Sequence, residues 1–153
     1  MQGFKDPYNR RPYPWGKGDP YLKRWYEKII GLRKEHPALQ TGVLLPILAE
    51  GDCIAYARVI RGGRGVFGKE EKDEAFLAAF NRSRTETHTL EMDVSDFAEG
   101  HFVDVVGSGN VYEVTRGRVE LRLEPLTAVL LQHKRAPREY ERQAGILLHP
   151  TSL

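Results

Sequence analysis

Asp6 and Arg10, four residues apart across Pro7, are the side chains whose types and spacing most readily do chemistry. A carboxylate accepts from two neighbouring hydroxyls, and a guanidinium donates in a fixed fork. Held on a stiff turn, the two suit a polyhydroxylated ligand such as a sugar. They equally suit each other, as a solvated ion pair. Their loop, Asp6-Pro7-Tyr8-Asn9-Arg10-Arg11-Pro12-Tyr13-Pro14-Trp15-Gly16, carries three prolines and a glycine that exclude regular structure. It also carries the rings of Tyr8, Tyr13 and Trp15, and rings stack on sugar faces. Tyr56 and Tyr112 are further aromatics of that kind, although each also has a packing role open to it.

The remaining polar residues read as structure. Asp93, Asp96 and Glu99 surround a turn, where carboxylates are normally solvated. His36, His88, His101, His133 and His149 are scattered without metal-ligand spacing. Arg61-Gly62-Gly63-Arg64-Gly65 lacks the lysine, hydroxyl and following helix of a phosphate-binding loop. No residue reads as catalytic, and no cofactor or metal is expected.

A helix must follow the loop. Asp19-Pro20 reads as an N-cap with proline at the first helical position. Leu22, Trp25, Tyr26, Ile29, Ile30 and Leu32 then form one apolar stripe, with Lys23, Arg24, Glu27, Lys28 and Lys34 opposite. Arg33 and Lys34 oppose the negative end of the helix dipole, and Pro37 ends the helix near His36. The stripe needs a partner. Either the rest of the chain or a second copy, as a homodimer through the apolar face of helix 19–36, must cover it.

Short strands follow. Residues 42–48, 53–60, 73–81, 88–94, 101–106, 111–115, 119–123 and 126–132 are apolar or alternating runs separated by turn residues. They predict a mainly β chain built as an antiparallel β-sandwich, with 111–115 and 119–123 paired as a hairpin across Arg116-Gly117. Residues 61–72 read as a flexible loop. Three regions result: 1–41 (loop 1–18, helix 19–36), the sandwich at 42–133, and a charged linker with an interrupted apolar run at 134–153.

The chain has 153 residues and a formal net charge of +2 without a basic footprint, so nucleic acid is not an expected partner. No stretch approaches the roughly 20 apolar residues of a transmembrane helix, and no signal-peptide core opens the chain. Cys53, single and among apolar neighbours, reads as a buried small hydrophobe. The expected compartment is the cytoplasm.

Two resemblances sharpen this reading. Gly3-Phe4-Lys5-Asp6-Pro7-Tyr8-Asn9-Arg10-Arg11-Pro12-Tyr13-Pro14-Trp15, then Trp25-Tyr26, then Leu32-Arg33-Lys34-Glu35-His36-Pro37-Ala38-Leu39, resembles the α-amylase superfamily, glycoside hydrolase family 13, and most of all its neopullulanase and cyclomaltodextrinase branch. The resemblance implies that residues 1–18 follow the last strand of a (β/α)8 barrel, that 19–36 is the last barrel helix, and that 42–133 is the closing β-domain. It implies that Asp6 and Arg10 contact glucose units of an α-glucan or maltooligosaccharide in the intact enzyme. It also implies retaining hydrolysis or transglycosylation of α-1,4-glucans by carboxylates on earlier barrel strands, which this chain does not contain. The chain alone is therefore expected to be inactive. Gly145-Ile146-Leu147-Leu148-His149-Pro150-Thr151-Ser152-Leu153 resembles the first strand region of 4-α-glucanotransferases, family 77, which implies a fusion of two α-glucan enzymes. The competing expectation is a free-standing carbohydrate-binding or interaction module.

Overall fold

The computed structural model describes residues 5–7, 9, 10, 12 and 15–135. Helix α1 spans Pro20–Glu35, and Asp19 caps it by accepting from the Tyr21 and Leu22 N–H groups at 2.8 and 3.1 Å. His36 ends it, donating its N–H to the Leu32 carbonyl. Pro37 does more than stop α1. Its fixed φ opens a second, five-residue helix, α2 (Pro37–Thr41), which the sequence pattern did not distinguish.

Eight strands follow among the described residues: β1 (Val43–Glu50), β2 (Cys53–Ile60), β3 (Glu74–Asn81), β4 (His88–Asp93), β5 (His101–Asp104), β6 (Val111–Glu113), β7 (Arg118–Leu123) and β8 (Thr127–Lys134). Six form one antiparallel sheet in the order β1-β2-β3-β8-β5-β6, and β4 pairs with β7 in a second. The chain is thus mainly β, an antiparallel sandwich preceded by an amphipathic helix. The inner face of the large sheet places Ala55, Leu77, Ala79, Phe102 and Leu131 against Leu90, Met92, Val119, Leu121 and Leu123 of the small one. Strict alternation drives this: β7 reads exposed-buried three times over, so one face of a two-stranded ribbon closes the core.

The expected hairpin between residues 111–115 and 119–123 is corrected. Arg116 and Gly117 do form a tight turn with positive φ (53° and 76°), bracketed by the bonds between Thr115 and Arg118. Beyond that single bridge the chain changes sheets. β6 pairs with β5, and β7 with β4. Burying Val119, Leu121 and Leu123 across the core from the large sheet outweighs extending a local ladder.

The outer face of the large sheet is apolar at its far end, while Arg58 and Gln132 share the row nearer α2. Register aligns Ala49, Ile54, Phe80 and Ala128 in one row and Pro46, Tyr56, Ala78 and Leu130 in the next. Helix α2 covers only the end near Ile60 and Phe76, where Ala38 and Leu39 pack with Val105 and Leu130. Helix α1 buries none of its residues; Trp25 is 45% and Tyr26 59% exposed. The sandwich therefore does not cover the apolar stripe of its own helix.

Residues 61–72, read from sequence as flexible, fold back on themselves. Gly65 donates to the Lys69 carbonyl, Glu71 to that of Gly63, and Gly63 to the Asp73 carboxylate at 2.7 Å. Val66 donates to the Thr41 carbonyl at 2.9 Å, which docks the loop on the end of α2. Cys53 is buried on β2, and burial, with the neighbouring Asp52 charge, pushes its thiol up from the ordinary value.

Candidate functional site

The Asp6–Arg10 turn is built by the Arg10 N–H donating to the Pro7 carbonyl at 3.1 Å. This brings the two side chains together as a fork: Arg10 Nε lies 2.6 Å from Asp6 Oδ1, and Nη2 lies 3.1 Å from Oδ2. Both groups are exposed. Of the two alternatives, the described residues are arranged as an ion pair. Each carboxylate oxygen keeps a further lone pair and the guanidinium keeps outward N–H groups, so the fork still offers acceptors and donors side by side to a hydroxylated ligand. Trp15 lies 83% exposed beside a shallow depression of about 440 Å³ lined with Gly16, Asp19 and Lys23. The carboxylate of Asp19 is engaged as the helix cap. Tyr8 and Tyr13 lie outside the described residues, as does the segment 145–153.

The other aromatics are positioned by packing. Tyr56 stacks on Phe80 with ring centroids 6.0 Å apart, and Tyr112 packs against the main core.

Of the carboxylates at 93–99, that of Asp93 is held by its own turn. Asp93 accepts from the Ser95 hydroxyl at 2.6 Å and the Ser95 N–H at 3.0 Å, which holds its carboxyl below the usual range. Asp96 uses its backbone carbonyl to accept from Arg61, and the Glu99 carbonyl accepts from His133 Nε2 at 2.5 Å. Asp96 and Glu99, but not Asp93, line a cleft of about 510 Å³ together with Asp73 and Glu74. No group of three or more metal-ligating side chains exists among the described residues.

Sequence reasoning missed a strut beneath α1. His36 Nδ1 lies 2.5 Å from Glu74 Oε1, and an ionised carboxylate only accepts, so the ring donates. Glu74 also accepts from the Ala38 N–H and from Gln132, both at 3.3 Å. His36 caps the end of α1 through its backbone N–H, and its ring in addition ties the α1–α2 junction to β3. Lys28 adds a second tie, donating to the Val106 carbonyl at 2.5 Å. Val106 stands in the turn organised by the buried Asp104. Burial pushes the Asp104 carboxyl up, but the N–H groups of Val106, Gly107 and Ser108 and the Ser108 hydroxyl outweigh it and hold it below the ordinary value. One sequence signal pointed there: Asp104 is a lone charge inside the apolar run 101–106, which Gly107-Ser108 ends.

Comparison with known proteins places these observations. No family model matches the chain. An amylopullulanase of Thermoanaerobacter thermohydrosulfuricus is 31% identical over 133 residues, covering 86% of this chain and 9% of the relative. The chain spans 7 to 10% of the length of the amylopullulanases it matches. In fold, it superposes on an α-amylase from Geobacillus thermoleovorans, solved with acarbose, at a TM-score of 0.70 and 21% identity, over 88% of this chain and 27% of the amylase. A cyclomaltodextrinase gives a TM-score of 0.61 and 25% identity over 82% of this chain and 20% of its own. The chain is thus homologous to a segment of α-glucan-active enzymes and has the fold of an α-amylase C-terminal β-domain.

Proposed function

We propose that this chain is the closing β-domain, with the preceding helix, of an α-glucan-processing glycoside hydrolase of the neopullulanase and cyclomaltodextrinase type. Its role is structural: the sandwich carries α1 against the barrel that holds the bond-breaking carboxylates. The observation that supports this most is the homology over 133 residues, 9% of the relative's length, combined with an apolar helix that the sandwich leaves uncovered. On this reading the intact enzyme hydrolyses or transglycosylates α-1,4-glucans with retention. Asp6 and Arg10 touch glucose units beside the cleaved bond, and the acarbose held by the matching amylase is the kind of ligand concerned. The resemblance of residues 145–153 adds a fused 4-α-glucanotransferase to the same proposal. A cytoplasmic setting is part of it, in keeping with the single buried thiol of Cys53.

Without a barrel, α1 is covered by a second copy of the chain, giving a homodimer. The pure chain then releases no reducing sugar from starch, pullulan or cyclodextrin, whereas the same residues joined to a family barrel do. In that joined enzyme Arg10→Ala raises KM with little change in kcat. Turnover by the chain alone, abolished by mutating its own carboxylates, overturns the reading.

The exposure of Trp15 favours a second reading, a free-standing sugar-binding module. Calorimetric titration with maltooligosaccharide separates the two: a flat titration dismisses the module, and saturable binding lost in Trp15→Ala supports it.

A further inference from the structure

Past the reach of α2, the outer sheet face combines aromatic rings with a fixed ion pair. Cys53 pairs with Asn81, and the Arg82 N–H donates to the Asp52 carbonyl at 3.0 Å, so the β2–β3 register continues one step beyond the strands. Alternation then lines up three outward rows: Asp52 with Arg82, Ile54 with Phe80, and Tyr56 with Ala78. At about 3.3 Å per residue they extend over about 13 Å. The rings of Tyr56 and Phe80 lie 20° from parallel with centroids 6.0 Å apart, and both are partly exposed. Ile54 beside them is 50% exposed. In the end row Arg82 Nε donates to Asp52 Oδ1 at 2.8 Å. That bond leaves Asp52 Oδ2 and the two Nη groups of Arg82 available to a ligand, and the Arg82 side chain is 80% exposed. The Tyr56 hydroxyl has no hydrogen-bond partner among the described residues.

We propose that this end of the sheet is a sugar-binding platform separate from the Asp6–Arg10 loop. It takes a short stretch of α-1,4-glucan, with pyranose faces on the Tyr56 and Phe80 rings and hydroxyls on the Asp52–Arg82 pair. That the ligand is a sugar rests on the chemistry of this face; that the sugar is an α-glucan rests on the reading of the parent enzyme. An apolar partner would need only Ile54 and the rings. The face supplies more: a carboxylate oxygen that accepts, guanidinium N–H groups that donate, and a hydroxyl that does both, all beside aromatic faces. That is the combination a ring with one apolar face and a rim of hydroxyls asks for. The site is also pre-organised. The ion pair is held by a backbone bond as well as a side-chain bond, so a ligand orders little on binding. Arg58, the next outward residue of β2, bounds the platform. It donates to the Ala38 and Gln40 carbonyls at 3.4 and 3.1 Å and is spent on the end of α2.

Titration of the full chain with maltoheptaose, and separately with cellohexaose, followed by calorimetry and by NMR of the aromatic rings, tests it. Maltoheptaose is expected to bind saturably and to shift the ring resonances of Tyr56 and Phe80. Arg82→Ala should weaken binding about tenfold, the worth of one hydrogen bond to a charged group. Tyr56→Ala should weaken it by at least as much. Should Tyr56→Ala misfold, Arg82→Ala still decides, because that side chain is exposed, and the ring shifts of the parent chain need no variant. A flat titration overturns the platform and leaves the structural reading standing, since that reading is tested by turnover of the joined enzyme. Binding lost in Trp15→Ala but kept in both Tyr56→Ala and Arg82→Ala places the sugar on the opening loop and overturns the seat. Binding of cellohexaose alone overturns the α-glucan assignment.

Discussion

Asp104 shows how one side chain organises a turn. Its two oxygens accept four donors, three of them backbone N–H groups, and the side chain is almost fully buried. Replacing one oxygen with an amide turns a donor toward donors, and stranding buried polar groups costs about 1–3 kcal/mol. Asp104→Asn should lose that amount in urea unfolding. The pH dependence follows from the depressed carboxyl. Its stabilisation is fully present above the unfolded carboxylate value of about 3.9 and disappears as pH falls through the lower folded value. The Asn variant should lack that acid limb. A variant as stable as the parent at neutral pH would refute the assignment. None of this was legible in the sequence beyond Asp104's position as a charge within an apolar run, because Val106, Gly107 and Ser108 converge on it only once the chain has turned. Asp6 and Arg10 are the converse. Their spacing showed that they could meet, and the turn through Pro7 decided that they meet each other.

Among the elements, α1 was the most legible, because its cap, its first-turn proline and its stripe are all local in sequence. The strands were nearly as legible, since alternation and turn residues mark them. Their partners were not. The turn at Arg116-Gly117 is local, yet β6 and β7 separate into two sheets, because pairing is settled by which faces bury together across the core. The joint between α2 and β1 is a further case. At Gly42 an added Cβ would stand 2.5 Å from the Ala38 carbonyl oxygen and 3.0 Å from the Val59 nitrogen, both backbone atoms that cannot swing aside. Gly42→Ala should therefore destabilise by about 1–3 kcal/mol, measured by thermal melting, whereas Gly31→Ala, with open space around it, should not. Equal melting temperatures would remove the argument for a close approach at this joint.

At the scale of the whole molecule, two apolar surfaces remain after the core is closed: the stripe of α1 and the bare half of the outer sheet face. They give the expected association its physical basis. The sequence by itself determined the helix, the strands, the mainly β class and the resemblance to α-amylase-type enzymes, because periodicity, capping and turn chemistry act over a few residues. Only the tertiary structure decided which strands pair, that Glu74 and Lys28 hold the helix to the sandwich, and that the outer face stays half bare. The two ties join residues 38 and 78 positions apart, and β4 pairs β7 across 25 to 35 positions, separations at which burial and mutual fit choose among partners that the local pattern leaves equivalent.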